Sequence, residues 1–277
     1  AGPLEAKVRA AGVPVHILPM HNKLGWFVAL YRFLIRNVPF DIFHAHVDAI
    51  VAGPALAIAA AAKVPVRIAH NHAARLAGAE YQALRFRLRE AIGNAFSAAF
   101  ATARIAISDM AMEQLAGPGW RDDPRCRILL YGFDYAQFYG AADRVAALRT
   151  KHGIADDAPV IGHVGRFDSV KNHTFLLNAF ALYRRTAPTA KLVLIGRGPL
   201  QPALEDQARA LNIADAVIFA GGTDDVAAYL KLFDLFAFPS FSEGLGIVIL
   251  EAQAAGTPVL MPENMPREVV VVPECIT

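Results

Sequence analysis

Short runs rich in β-branched residues alternate with helix-patterned stretches along this whole 277-residue chain. That order leaves few folds, because parallel strands cannot be joined by tight turns and each pair needs a crossover, usually a helix. In the first half, strands are expected at Val13–Leu18, Ile42–His46, Val66–His70, Ala103–Ser108 and Arg127–Leu130. Helices are expected between them at Leu24–Asn37, Asp48–Ala62, Ala79–Ala98 and Asp109–Leu115. In the second half the strands are Val160–Val164, Leu192–Gly196, Val217–Ala220, Leu235–Phe238 and Val259–Leu260, and the helices Asn172–Arg185, Leu200–Leu211, Asp224–Phe233 and Gly246–Ala255. Residues 136–158, rich in Ala, Asp and Gly, interrupt the pattern and read as a connection. The expected fold is α/β, with two Rossmann-like domains over 1–138 and 158–277 joined by a linker at 139–157.

Composition is that of a globular protein, 55% hydrophobic and 19% charged. No apolar run reaches the ~18 residues of a spanning helix, and no leader pattern opens the chain, so a cytoplasmic protein is expected. Charge is unevenly divided: 17 Lys+Arg against 11 Asp+Glu in residues 1–150, and 10 against 14 in 151–277. Two domains with different partners fit that split. The small net charge and the lack of an aromatic-basic platform argue against nucleic acid. Cys126 and Cys275 are far apart and in no metal-ligating spacing, so neither a disulfide framework nor a metal site is expected. The chain has no initiator Met, which reads as a piece of a longer protein.

Ligands of such sheets bind beyond the carboxyl ends of the strands, and the unusual polar residues of the second half fall there. Arg166 and Lys171, five residues apart after the strand 160–164, combine a bidentate fork with a point charge and suit a diphosphate, although a solvated basic loop has the same pattern. Arg197 lies in Gly196-Arg197-Gly198-Pro199-Leu200, which is also an ordinary turn into a helix. Glu243 and Glu251 stand eight residues apart around the start of an otherwise apolar helix. A carboxylate inside such a helix is costly unless it has a partner. Gly244 and Gly246 open backbone N–H groups at the helix start, where the dipole favours a phosphate.

The ordered series Gly165-Arg166 with Lys171-Asn172, Gly196-x-Gly198-Pro199-Leu200, and Pro239-Ser240-x-x-Glu243-Gly244 followed by Glu251 resembles the retaining glycosyltransferases of family four, with the GT-B fold. Asp41-Ile42-Phe43-His44-Ala45-His46 and Ile107-Ser108 extend the resemblance over nearly the full chain, and the tail through Asn264-Met265-Pro266-Arg267-Glu268 is similar to a capsular and exopolysaccharide subgroup. The resemblance implies two domains facing across a cleft, the first binding the acceptor and the second a nucleotide sugar. It implies that Arg166 and Lys171 hold the diphosphate, Glu251 the ribose hydroxyls and Glu243 the transferred sugar, with the Gly244, Leu245 and Gly246 amides near sugar or phosphate. It implies no cofactor and no metal; the donor is expected to be a UDP-sugar rather than a GDP-sugar, and the acceptor a glycan or a lipid-linked hydroxyl. The family's first strand, with its Gly-rich loop, would precede residue 1, and its C-terminal helices would follow residue 277. Tyr131-Gly132-Phe133-Asp134 departs from the family's usual Asn-Gly before an acidic residue.

A His facing the donor sugar is expected at His72 or His70 in Ile68-Ala69-His70-Asn71-His72, His72 lying further beyond the strand end. His44 and His46 end a strand expected to be buried, where a structural role is favoured. Arg75, Arg85, Arg87 and Arg89, with Tyr81, Leu84, Phe86 and Leu88 interleaved, fit an anionic membrane at the inner cell surface or a lipid-diphosphate acceptor, and equally a solvated face covering the core. The segment Trp26–Arg36 raises the same pair of readings. Two other activities remain open: a nucleotide-sugar epimerase or hydrolase of GT-B-like architecture, and a non-catalytic nucleotide-sugar-binding relative.

Overall fold

The computed structural model describes residues 4–18, 22–37, 39–72, 83–132 and 134–276. Arg75, Tyr81, Phe133 and the expected helix start at Ala79 lie outside the described residues. Two compact units emerge: Ala1–Asn71 with Ala83–Ala106 and Leu115–Arg127, and His72–Gln82 with Ile107–Gln114 and Ile128–Thr277.

In the first unit, β1 (Ile42–Ala45), β2 (Val66–Asn71), β3 (Ala103–Ala106) and β4 (Cys126–Ile128) lie side by side in that order. The pairing of β1 with β2 is parallel with Ile42 opposite Val66, and that of β2 with β3 is parallel with Ile68 opposite Ala103. Short α1 (Glu5–Ala10) precedes α2 (Lys23–Arg36), whose first turn is capped by the Asn22 side chain accepting from the Gly25 amide at 2.6 Å. Asp48 caps α3 (Ala49–Ala61) in the same way, through the Val51 amide. Leu30 and Leu34 of α2 pack with Ala55, Ala59 and Ala62 at α3 to form this unit's core. α3 crosses α4 (Leu84–Phe100) at a pair of glycines: a Cβ on Gly53 would stand 2.2 Å from the Gly93 carbonyl oxygen, and one on Gly93 would stand 2.1 Å from that of Ala49. Only hydrogen fits there. α5 (Asp109–Ala116), which follows β3 in the chain, belongs mostly to the second unit.

In the second unit the sheet order is β7 (Val217–Gly221), β6 (Lys191–Ile195), β5 (Val160–Val164), β8 (Leu235–Ala237), β9 (Val259–Leu260), all parallel. β6 is buried from Leu192 to Ile195, as a central parallel strand covered on both faces should be. α7 (His173–Tyr183) and α8 (Gln201–Ala210) join it in one core through Leu177, Phe180, Leu204 and Phe167. α9 (Val226–Leu232) and α10 (Ile247–Ala255) complete the unit, together with α6 (Val145–His152). Strand β5 carries Gly162 because the Phe233 ring lies where a side chain would be, 2.0 Å from a Cβ built there.

The expected strands and helices recur with shifts of a few residues, apart from three differences. Val13–Leu18 is not a strand: Val13 and Ile17 are exposed, and no described strand pairs with them. Alternation there mimics a strand, but a strand exists only when a neighbour satisfies its backbone. Residues 139–157, expected as a plain connection, contain α6, entered through Arg144, whose guanidinium makes a bidentate pair with Asp225 at 2.7 and 2.9 Å. His44 and His46 are exposed rather than buried, because β1 is the edge of its described sheet.

Candidate functional site

In the second unit the chain moves outward from β5 through β6 to β7, then returns to β8 on the other side of β5. The loops leaving β5 and β8 therefore diverge at a topological switch point, where open α/β sheets leave a crevice for ligands. These loops carry Gly165 to Asn172 and Pro239 to Gly246.

Backbone contacts hold the loops at this edge together. The Gly165 amide donates to the Ile195 carbonyl at 2.9 Å, Phe167 to the Arg197 carbonyl at 3.1 Å, and Phe241 to the Val170 carbonyl at 2.9 Å. Gly196 has φ 140°, and a Cβ on it would lie 1.9 Å from the Gly165 carbonyl oxygen, so the turn and the close approach both require glycine. Asp168 accepts from the Val170 and Lys171 amides and caps the 3-10 turn Ser169–Lys171. Asn172, in the left-handed region at φ 54°, donates its side-chain amide to the Pro239 carbonyl at 3.2 Å.

This scaffold places Lys171 Nζ 2.6 Å from Glu243 Oε1, the two side chains only 19% and 15% exposed. The ammonium also lies 5.1 Å from the centre of the Phe238 ring. Arg166 and Arg197 are exposed, and neither forms an ion pair among the described residues. Arg197 stands beside the Gly221-Gly222 turn after β7, its Nε 3.7 Å from where a Cβ of Gly222 would be. Of the two cations expected to act together, Lys171 is thus paired with a carboxylate and Arg166 faces solvent.

Gly246, at φ 85°, turns the chain into α10. No hydrogen bond among the described residues engages the amides of Gly244, Leu245 or Gly246, while the Leu245 side chain is buried in the core. Glu251, half-buried in the second turn of α10, has no ion-pair partner among the described residues, and burial pushes its carboxyl above the ordinary value. Two residues later, Gln253 is buried and fully used. It donates to the Ile249 and Val269 carbonyls at 3.1 and 2.6 Å and accepts from the Val271 and Val272 amides at 2.9 and 2.7 Å.

Two histidines that sequence reasoning passed over lie beneath the β5 loop. The buried His163 donates from Nδ1 to the Ala237 carbonyl at 2.8 Å, bridging β5 and β8, and its ring meets that of the buried His173 edge-on at 4.6 Å. Burial holds His163 down to about 3, helped by His173 and Lys171. His173 is held at about 4 by burial, with Asp168 opposing and Lys171 adding to the depression. Both imidazoles are neutral at physiological pH, so the floor of the loop adds no charge to the site. The signal in the sequence was His163 inside an apolar strand and His173 directly after Lys171-Asn172.

The histidines of the first half separate. His70 is buried in the first unit, its Nδ1 3.1 Å from His44 Nε2. With His46 it forms a cluster whose ring nitrogens lie within 4.8 Å of one another, a set able to hold a transition metal. The His-x-His spacing on a strand, which puts alternate residues on one face, was the available clue. His72 belongs to the second unit. Its Nδ1 shares a hydrogen bond with the Tyr131 hydroxyl, the two rings stack at 5.7 Å, and its carbonyl oxygen would be 2.1 Å from a Cβ on Gly244. Tyr131, whose hydroxyl burial pushes up, was not anticipated.

Two family patterns match the chain in succession: the glycosyl transferase 4-like domain over residues 1–132 and glycosyl transferases group 1 over residues 145–273. The putative glycosyltransferase EpsF of Bacillus subtilis is 35% identical over 88% of this chain and 63% of its own length. The alpha-monoglucosyldiacylglycerol synthase of Streptococcus pneumoniae is 35% identical over 50% of this chain and 32% of its own. The chain therefore spans less than two thirds of either relative. Among solved structures, Anabaena HepE in complex with UDP-glucose superposes with a TM-score of 0.78 at 20% identity, covering 95% of this chain and 71% of that one. The two parallel α/β sheets are those of GT-B glycosyltransferases.

Proposed function

Given that the chain belongs to the group 1, family-four-like glycosyltransferases, we propose that the whole protein transfers a hexose from a nucleoside-diphosphate sugar to an acceptor hydroxyl with retention at the anomeric carbon. The likeness to EpsF supports a role in exopolysaccharide synthesis. A UDP-sugar donor is favoured over a GDP-sugar, a reading supported by the complex of Anabaena HepE, of the same fold, with UDP-glucose. The acceptor is a glycan or a lipid-linked hydroxyl, and the protein works in the cytoplasm at the inner face of the membrane. No described helix is long and apolar enough to cross that membrane. Residues 1–138 form the acceptor domain, 139–157 the connection and 158–277 the donor domain.

The observation that carries this reading is the Lys171–Glu243 pair at the switch point, next to the amides of Gly244, Leu245 and Gly246, which no hydrogen bond engages among the described residues. A diphosphate offers Lys171 a stronger anion than Glu243, and Arg166 adds a bidentate fork from solvent. Released from the ammonium, Glu243 is available to the sugar hydroxyls. Glu251 accepts the two ribose hydroxyls, which supply the hydrogen bonds its half-buried carboxylate lacks. Reaction proceeds on one face of the sugar: as the C1–O bond to the diphosphate breaks, the acceptor oxygen bonds to C1 from that same face and the leaving oxygen takes the acceptor's proton. Lys171 and Arg166 neutralise the charge that develops on the diphosphate, without need of a metal. His72, oriented by Tyr131, faces the sugar, with His70 as the other candidate.

The test is a panel of nucleotide sugars screened against the protein by thermal shift, then radiolabelled hits incubated with and without acceptor. Transfer that needs both donor and acceptor supports the reading. Sugar release independent of acceptor points to a hydrolase, interconversion of the donor sugar to an epimerase, and binding without turnover to a non-catalytic relative.

A further inference from the structure

Helix α4 buries only Gly93 and Ser97. On a helical projection its outward face holds Leu84, Leu88, Ala91, Ile92, Ala95 and Phe96, with the four large residues between 39% and 71% exposed. The i, i+4 spacing of Leu84, Leu88, Ile92 and Phe96 makes one continuous stripe about 18 Å long at 1.5 Å per residue. Arg85 and Arg89 lie on one flank and Arg87 on the other, all exposed. The alternation that makes the sequence look like an imperfect helical face is what puts arginines on both sides of the stripe.

These arginines also oppose their own helix. The first turn of α4 contains no acid, and Arg85 and Arg87 there set cations at the positive end of the helix dipole, an unfavourable placement. None of the three forms an ion pair among the described residues. A similar arrangement occurs on α2, where Leu24, Val28, Tyr31 and Ile35 are exposed beside Arg32 and Arg36.

We propose that the outward face of α4 seats in the plane of a bilayer carrying anionic headgroups, the apolar stripe entering the acyl boundary and Arg85, Arg87 and Arg89 reaching phosphates on either side. Charge complementarity selects this occupant over a second copy of the chain, since a symmetric pairing of the two faces would set arginine against arginine. The proposal gives a surface to the membrane contact proposed above and rests on that reading of a membrane-side enzyme.

The test is co-sedimentation with vesicles of phosphatidylcholine with and without phosphatidylglycerol, with transfer to a soluble acceptor measured in parallel. The unaltered protein should bind the anionic vesicles and be released by high salt. Arg85→Ser, Arg87→Ser and Arg89→Ser combined should weaken binding by roughly 100-fold. Leu88→Glu with Ile92→Glu should abolish it, whereas Leu182→Glu, on the exposed side of α7, should not change it. Equal binding to both vesicle types, binding unchanged in Leu88→Glu with Ile92→Glu, or a dimer in solution that this variant dissociates would overturn the proposal. Loss of transfer with vesicle binding intact overturns the catalytic reading alone, and the reverse overturns the membrane surface alone.

Discussion

Lys171 and Glu243 lie 72 residues apart in sequence and 2.6 Å apart in space, each held by a loop at the carboxyl end of a strand next to the point where the sheet order reverses. Their pairing gives each side chain a partner in the absence of donor. Lys171→Ala is expected to lower stability by about 1–3 kcal/mol, because it leaves a mostly buried carboxylate without its partner. Adding Glu243→Ala should recover part of that stability and none of the nucleotide-sugar affinity. Denaturant unfolding and donor titration of the two variants check both outcomes.

Glu251 is expected to trade stability for binding. Its carboxyl is raised by burial, so the folded state favours the protonated form. Stability from this group is greatest below the unfolded value near 4.5 and declines as pH rises through the higher folded value. Glu251→Gln should therefore raise Tm at neutral pH, leave it almost unchanged in acid, and weaken nucleotide affinity by tenfold or more. A lower Tm at neutral pH would refute the account.

The buried His163 and His173 titrate in the opposite sense. Both are depressed from 6.5, to about 3 and about 4, so the unfolded chain takes up protons first as pH falls. The stability they contribute is complete above pH 6.5 and is lost as the pH falls toward 4, on the order of 1–3 kcal/mol each. His173→Phe, which keeps an aromatic ring against His163 and Phe167, should flatten Tm between pH 6.5 and 4. An unchanged slope would remove His173 from the explanation.

The crossing of α3 and α4 leaves no room for a methyl group. Gly93→Ala places a Cβ 2.1 Å from the Ala49 carbonyl oxygen, a backbone atom that can move only with its helix. A loss of about 1–3 kcal/mol is expected by overpacking, even though alanine is the better helix former by about 1 kcal/mol. Circular dichroism melts would show it, and a stabilised variant would contradict the crossing.

Gln253 offers a cleaner separation of structure from function. Gln253→Leu would leave the Val269 carbonyl and the Val271 and Val272 amides without their side-chain partner. A loss of about 2–4 kcal/mol follows from breaking a buried network, with faster amide exchange at Val271 and Val272 as its local signature.

What the sequence alone determined was the order of elements, the two-sheet α/β architecture and the loop that holds each candidate residue. Those follow from local periodicity, β-branched runs and glycines, and each is legible within ten or fifteen residues. Val13–Leu18 shows the limit, since its alternation is strand-like but only a neighbouring strand could make it one. Tertiary structure decided the partnerships. It set Lys171 against Glu243 and left Arg166 in solvent, grouped His70 with His44 and His46 while giving His72 to Tyr131, and used Gln253, two residues after Glu251, to hold the segment from Val269 to Val272. These contacts depend on which strand lies beside which, and on burial, which sets the charge state of His163, His173 and Glu251. Neither is carried by the residues next to them in the chain.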